Sequence, residues 1–196
     1  MSEALDVLGA GAQTCTCCQL ARGRTLVVFG EGDPDAALMI VGEAPGADED
    51  ASGHPFVGPA GDLLTELLEE IRLTRSAVYI ANVVKCRPWR STSGGRKRNR
   101  PPARDEINAC WNYLDGQIAA VRPRVVVSLG NTATRRLLGR PEGICSLRGQ
   151  EYPLDDGAVL VPTFHPAFVN RRRQRRPEIS DDFAQARRVL DRMVIE

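Results

Sequence analysis

The chain has 196 residues, a net charge of +1 and 42% hydrophobic residues. This length and composition favour a single domain over residues 1–196 with a substantial core. The sequence lacks the run of about 18 apolar residues that a transmembrane helix needs, and Met1–Gln13 lacks the basic-then-apolar pattern of a signal peptide. We therefore expect a cytoplasmic protein with no membrane partner, and we expect it to be a monomer.

Basic residues are concentrated in two segments. Residues 87–104 contain seven Lys or Arg and no acid, and residues 171–176 contain five Arg and no acid. Because the whole chain totals only +1, the remainder is net acidic. Positive charge concentrated on an acidic body indicates a surface that binds a polyanion such as nucleic acid. The alternative is a pair of solvated, disordered loops.

Hydrophobic patterning predicts strands and helices that alternate along the chain. The predicted strands are residues 25–29, 37–41, 78–84, 125–129 and 159–163. The predicted helices are residues 61–73, 105–121, 130–138 and 180–194. Ser180 is the predicted N-cap of the last helix. Ser91–Arg100 is polar, basic and contains glycine, which predicts a mobile loop.

This alternation predicts an α/β fold of three layers, α/β/α, around a central four-stranded, mainly parallel sheet. Counting from the strand at 37–41, we expect the strand order 2-1-3-4 with right-handed crossovers. Glu43, Asn82 and His165 each follow a strand end. Because the carboxyl ends of parallel strands share one edge, these three distant residues can converge there.

The segment Val41–Gly46 reads Val-Gly-Glu-Ala-Pro-Gly and leaves the central strand. A loop in this place is where an open α/β sheet binds its ligand. The sequence has no Gly-x-Gly-x-x-Gly and no P-loop, so this is not an ordinary nucleotide-binding loop. The alternative is a turn that only ends the strand.

The six cysteines indicate a metal or cluster site, since structural disulfides are rare in a cytoplasmic protein. Cys15-x-x-Cys18, with Cys86 and Cys110, has the spacing of zinc or iron–sulfur ligands, and the spacing does not choose between them. The ligand-bearing N-terminal segment would span about residues 12–24. Cys17 and Cys145 are not needed for four ligands, and we expect Cys145 to be a small buried residue.

A set of short motifs carries a family resemblance. They are Cys15-x-x-Cys18-x-Leu20, Gly30-Glu-Gly32, Val41-Gly-Glu-Ala-Pro-Gly46, Glu49-Asp50, Pro55-Phe-Val-Gly58-x-Ala-Gly61, Asn82-Val-Val-Lys-Cys-Arg-Pro88, Cys110, Arg122-Pro-x-Val-Val126, Leu129-Gly130 and His165-Pro-Ala167. In this order they resemble the family 4 uracil-DNA glycosylases, which carry an iron–sulfur cluster. The resemblance covers residues 15 to about 170.

The resemblance implies a DNA repair enzyme that flips uracil out of single- or double-stranded DNA and hydrolyses its N-glycosidic bond, leaving an abasic site. It implies that a [4Fe-4S] cluster is bound by Cys15, Cys18, Cys86 and Cys110. It implies that uracil is bound by Gly42, Glu43, Ala44, Phe56, Asn82 and His165. We assign catalytic roles to His165, Glu49 and Glu43. We assign DNA binding to Arg96, Lys97, Arg98, Arg100, Arg171, Arg172 and Arg173.

These residue types suit the chemistry. The amide of Asn82 can pair with both the N3–H and the O4 of uracil. His165 would contact O2 and donate a hydrogen bond to the departing base, and Glu49 would position the water.

One departure from the family keeps alternatives open. The insertion between Cys86 and Cys110 is longer than usual and resembles that of a related group that traps uracil-DNA covalently through a loop histidine. Asn99 and Arg100 stand here where that histidine is expected. The first alternative is thus a non-turnover or covalent uracil-DNA binder, the second is an iron–sulfur electron carrier, and the third is a zinc domain.

Overall fold

The computed structural model describes residues 3–195 as helices packed around one sheet. The α-helices in this range are α1 (Glu3–Thr14), α2 (Ala47–Ser52), α3 (Gly58–Glu70), α4 (Arg104–Val121), α5 (Asn131–Leu138), α6 (Ile144–Leu147), α7 (Pro166–Arg171) and α8 (Arg176–Ile195). The strands are β1 (Glu31–Gly32), β2 (Leu38–Gly42), β3 (Tyr79–Asn82), β4 (Trp89–Ser91), β5 (Lys97–Asn99), β6 (Val125–Leu129), β7 (Tyr152–Pro153) and β8 (Val159–Thr163). Short 3₁₀ turns cover Gln19–Arg22, Arg75–Ala77 and Arg173–Arg175.

The main sheet has the strand order β1-β3-β2-β6-β8-β7. Its four central strands are parallel and follow the predicted order 2-1-3-4, which is therefore confirmed. The sheet extends beyond these four predicted strands, because β1 and β7 add antiparallel pairs at its edges. Each of these two strands has only two residues, so neither is long enough to show the alternation that marks a strand.

The sheet is covered by helices on both faces, which confirms the three-layer architecture. Every residue of β2 is buried, as expected for a central parallel strand. Leu38 and Ile40 belong to the core cluster that includes α3 and α8, whereas Met39 and Val41 belong to the cluster that includes α1 and α4. Successive side chains of one strand thus supply both cores.

One predicted strand and the predicted start of the last helix are wrong. Residues 25–29 form no strand. They contact other segments by isolated backbone hydrogen bonds, such as the one from the Val28 N–H to the Lys85 carbonyl at 2.8 Å. The last helix begins at Arg176, so Ser180 is not its N-cap. The Ser180 hydroxyl instead donates to the Arg176 carbonyl one turn earlier, at 3.1 Å.

The predicted mobile loop Ser91–Arg100 is instead largely an antiparallel hairpin of β4 and β5, which pairs Trp89 with Asn99. The Lys97 ammonium lies 4.3 Å from the centre of the Trp89 ring. The Trp89 indole N–H also donates to the Gly23 carbonyl at 3.1 Å. The hairpin is therefore attached to the N-terminal cysteine segment, a long-range contact that local composition does not reveal.

None of the helices within the described residues is long and apolar enough to cross a membrane.

Candidate active site

A cavity of about 870 Å³ lies at the carboxyl edge of the parallel strands. Strand β2 pairs with β3 on one side and β6 on the other, so the chain reverses its direction of winding here, where α/β sheets bind ligands. We call this space the active-site cavity. It brings together predicted residues from five separate motifs, namely Glu43, Ala44, Glu49, Phe56, Asn82 and His165.

Asn82 supplies the buried polar group of this cavity. The residue is 2% exposed, and within residues 3–195 its Oδ1 atom has no hydrogen-bond partner. Buried amide oxygens are rarely left unpaired, so this atom is suited to accept from a ligand. Gly42 lies beside Asn82 in the sheet register, and a Cβ atom at position 42 would lie 2.3 Å from Oδ1. Only glycine leaves room for the Asn82 amide.

An aromatic pair closes another side of the cavity. The rings of Phe56 and His165 are stacked, with centroids 5.7 Å apart and planes at 27°. Phe56 has a φ of 53°, in the left-handed region that bulky residues rarely adopt. The predicted base-stacking residue is thus held in an unusual backbone conformation.

His165 is held in one tautomer. It is the N-cap of α7, and its Nδ1 atom accepts a hydrogen bond from the Ala167 N–H at 3.1 Å. Burial lowers the pKa of His165 to about 4, and the nearby Arg171 adds to the shift. The imidazole is therefore neutral at pH 7 with its proton on Nε2, where it can act as a hydrogen-bond donor.

The two predicted catalytic acids are each oriented by a neighbour. The Thr132 hydroxyl, at the start of α5, donates to Glu43 Oε2. Glu49 Oε2 accepts the Gly46 N–H at 2.8 Å. Burial raises the pKa of Glu49 although this N–H stabilises the carboxylate. The sequence prediction missed Thr132, because a threonine in the first turn of a helix carries no signal of a partner 89 positions away.

Four predicted ligands converge on a second, small cavity between α1, the first 3₁₀ turn, the segment that follows β3, and α4. This cysteine cavity is lined by Cys15, Cys18, Cys86 and Cys110, and also by Cys17. Cys145 is exposed and lines the active-site cavity instead, so the expectation that it is buried was wrong.

The cysteine cavity has the donors that a thiolate-bound group requires. Arg24 Nη1 donates to Cys86 Sγ at 3.4 Å, and the Lys85 N–H donates to Cys110 Sγ at 3.3 Å. Burial raises the pKa of the free Cys110 thiol to about 11, so a bound metal centre would have to displace its proton. Four sulfurs with N–H donors suit an iron–sulfur cluster. Within residues 3–195, no three His, Cys, Asp or Glu side chains are arranged to hold a single metal ion.

A buried lysine connects the two cavities, and sequence reasoning did not anticipate it. Lys85 is 1% exposed, and its ammonium donates to the Asn82 carbonyl at 2.7 Å and to Gln117 Oε1. Gln117 Nε2 in turn donates to the Tyr79 hydroxyl at 3.1 Å. Burial lowers the pKa of Lys85 to about 7. This network fixes the backbone of Asn82 from behind the sheet.

The predicted DNA-binding residues fall into two groups. Arg171, at the end of α7, is exposed and lines the active-site cavity, and Arg172 and Arg173 follow it on the surface. Arg96 and Arg98 are exposed on the hairpin. These five side chains are placed where they can meet phosphates.

The other two predicted residues have partners within the protein. Arg100 makes a bidentate pair with the fully buried carboxylate of Glu106, at 2.6 and 2.8 Å. Lys97 donates to the Gly23 carbonyl at 3.3 Å in addition to its contact with Trp89. Their local roles are to hold the hairpin against the body.

Comparison with known proteins agrees with this fold and identifies the family. Residues 29–191 match the model of the uracil DNA glycosylase superfamily, and the chain belongs to that superfamily. The crystal structure of wild-type Pedobacter heparinus SMUG2 shares the fold, with a TM-score of 0.58 at 11% identity over 83% of this chain and 77% of that one.

Sequence relatives give the narrower family. The type-4 uracil-DNA glycosylase of Thermotoga maritima is 40% identical over 188 residues, which cover 94% of each chain. The type-4 uracil-DNA glycosylase of Sulfurisphaera tokodaii is 39% identical over 94% of this chain and 84% of that protein. The chain belongs to the type-4 uracil-DNA glycosylases, which confirms the family indicated by the motifs.

Proposed function

We propose that this uracil-DNA glycosylase, a DNA repair hydrolase, removes uracil from DNA in the active-site cavity and leaves free uracil and an abasic site. The observation that carries this proposal is the buried, unpaired Asn82 Oδ1, in a cavity that also contains the Phe56–His165 stack. Bases are not accessible inside a duplex, so the target nucleotide must be flipped out at a cost of a few kcal/mol.

Asn82 reads the flipped base. Its Oδ1 accepts the uracil N3–H and its amide N–H donates to O4. Cytosine presents the opposite pattern at these two atoms and would leave buried groups unpaired. Phe56 stacks on the base, while Glu43 and Ala44 form the wall that excludes the methyl group of thymine. The Thr132 hydroxyl supports this wall by holding the Glu43 carboxylate.

His165 and Glu49 act on the reacting atoms. The bond between C1′ and N1 breaks through an oxocarbenium-like state, and negative charge develops on O2 of the departing uracil. The neutral His165 donates from Nε2 to this oxygen. One such donor stabilises the developing negative charge and accelerates the reaction by about 10²–10³-fold. Glu49 holds the water that attacks C1′. The cationic sugar is already electrophilic, so the water needs positioning more than deprotonation.

The exposed arginines bind the DNA backbone. Arg171, Arg172 and Arg173 continue from the rim of the active-site cavity, and the hairpin contributes Arg96 and Arg98. Contacts with phosphates offset the cost of extruding the base. One chain contains every residue of this site, which supports action as a monomer. The substrate is uracil in single- or double-stranded DNA. Such a substrate implies that the protein acts on the nucleoid in the cytoplasm.

A [4Fe-4S] cluster is proposed in the cysteine cavity, bound by Cys15, Cys18, Cys86 and Cys110. When bound, the cluster supplies a covalent link between the N-terminal segment and the β3–α4 region. The convergence of four thiols and two N–H donors supports the proposal. The visible absorption spectrum of anaerobically purified protein tests it, because an iron–sulfur cluster is brown and a zinc site is colourless.

The experiment for the activity is a uracil-containing oligonucleotide incubated with wild-type protein and with His165→Ala. We expect free uracil and an abasic site from the wild type. His165→Ala should lower the single-turnover rate by about 10²–10³ with nearly unchanged DNA affinity, because phosphate contacts remain. A complex stable to denaturant, without free uracil, would instead show covalent trapping. Absence of any product together with reversible reduction would show an electron carrier.

A further inference from the structure

The loop that carries Phe56 is under conformational constraint. From the end of α2 to the first residue of α3, three residues have positive φ: Gly53 at 80°, Phe56 at 53° and Gly58 at 69°. The Phe56 ring lies so close to β2 that a Cβ atom at Gly42 would be 2.5 Å from its Cζ. Because the ring is placed by this backbone conformation, whatever holds the loop also sets the stacking surface of the active-site cavity.

Arg75 holds the loop from outside. Its Nη2 donates to the Pro55 carbonyl at 2.7 Å, and its Nη1 donates to the Phe56 carbonyl at 3.2 Å. Nη2 also contacts Glu31 Oε1 at 3.2 Å. Glu31 in turn contacts His54 Nδ1 at 2.7 Å through its other oxygen.

We call Arg75 and Glu31 the brace of this loop, and both residues lie in regular secondary structure. Arg75 lies in the 3₁₀ turn that leads into β3, and Glu31 lies in β1, where it pairs with Ile80 of β3. Both anchor points therefore lie in the sheet or directly before one of its strands, and neither lies in the loop. Gly61 permits the close approach of α3 to this loop, since a Cβ atom there would lie 1.8 Å from the Phe56 carbonyl oxygen.

We propose that Arg75, oriented by Glu31, is a positioning residue that sets the Phe56 ring against the flipped base. This rests on the proposed stacking role of Phe56. A surface arginine on a DNA-binding protein can instead contact phosphate. The geometry favours the brace, because the planar guanidinium already serves two consecutive carbonyls and a carboxylate, and its side chain is only 27% exposed.

Arg75→Lys tests the brace, because lysine keeps the charge but lacks the fork that spans three acceptors. The single-turnover rate at saturating enzyme should fall about 10- to 100-fold, and inhibition by free uracil should weaken. DNA affinity and its salt dependence should stay at wild-type values. Glu31→Gln should produce a smaller loss of the same kind. The exposed Arg72 lies in the preceding turn, and Arg72→Lys is the matched control that should match the wild type.

Phe56→Leu separates the brace from the role of Phe56 itself. If Phe56→Leu is slow and Arg75→Lys and Glu31→Gln are both at wild-type rate, the brace is refuted and stacking stands. If Phe56→Leu is also at wild-type rate, the stacking role fails. If Arg75→Met loses affinity with a flatter salt dependence while its saturated rate is normal, Arg75 is a phosphate contact and the proposal is overturned. Melting temperatures identify any variant that has merely unfolded.

Discussion

At the residue scale, base choice depends on one amide. Asn82→Asp replaces the amide donors with a carboxylate that only accepts when it is ionised. Uracil O4 is itself an acceptor and would then have no donor opposite it. The N4–H₂ group of cytosine is a donor and could donate to the carboxylate. We expect uracil excision to fall by about 10⁴-fold and a trace of cytosine excision to appear. Single-turnover assays on matched uracil and cytosine duplexes measure both.

Asn82→Ala is the control for this change, because it removes the pairing atoms without reversing them. It should lose uracil excision and gain nothing on cytosine. Undiminished preference for uracil in Asn82→Asp would contradict the assignment of Asn82 as the base reader.

The pH dependence of the rate distinguishes the two groups that act on the reacting atoms. Burial raises the pKa of Glu49 from its ordinary value, whereas burial and Arg171 lower that of His165 to about 4. If the Glu49 carboxylate holds the water, the rate falls as pH drops through the raised pKa, where His165 is still neutral. Glu49→Gln should be slower by about 10²-fold and should lack this acid limb in a pH series of single-turnover rates. Persistence of the limb in Glu49→Gln would assign it to another group.

At the element scale, the cysteine cavity and the basic hairpin form one connected unit. Cys110 lies on α4, and the N-terminal cysteine segment contacts the hairpin through Gly23 and Trp89. Cys110→Ala should remove a cluster ligand, bleach the protein and lower its solubility, because ligand binding contributes to folding. The freed hairpin, rich in arginine, should also become sensitive to limited trypsin digestion.

Cys145→Ala is the matched control for that variant, since Cys145 is exposed and lies outside the cysteine cavity. It should keep the wild-type spectrum and digestion pattern. A full complement of cluster in Cys110→Ala would remove Cys110 from the ligand set.

Elements differed in how well the sequence predicted them. The four central strands are buried apolar runs bounded by turn residues, so their order and the convergence of Asn82 with His165 followed from general rules. The hairpin was mistaken for a mobile loop because its stability comes from Trp89 packing on a distant segment. Likewise, the contacts of Lys85 with Asn82 and of Thr132 with Glu43 depend on the folded chain and have no local signature.

At the scale of the whole molecule, an acidic body presents two basic segments near one cavity. Phosphate contacts carry no sequence information. The basic segments should therefore determine the affinity for DNA, and the active-site cavity should determine which base is excised. Arg171, Arg172 and Arg173 are all exposed at its rim or beyond. Their side chains should therefore contribute through release of counterions from DNA.

The triple change of Arg171, Arg172 and Arg173 to Gln should weaken DNA binding and flatten its dependence on salt. The logarithmic slope should decrease by up to about 0.9 for each DNA phosphate that the variant no longer neutralises. Preference for uracil over cytosine should survive, because Asn82 is untouched. Arg175→Gln is the control, since Arg175 already pairs with Glu178 at 2.6 Å. Binding titrations at several salt concentrations, beside single-turnover rates, provide the measurement. A different result would contradict this assignment: a lower selectivity for uracil over cytosine with an unchanged salt dependence of binding. Arg171, Arg172 and Arg173 would then contact bases, and the cavity alone would not determine base choice.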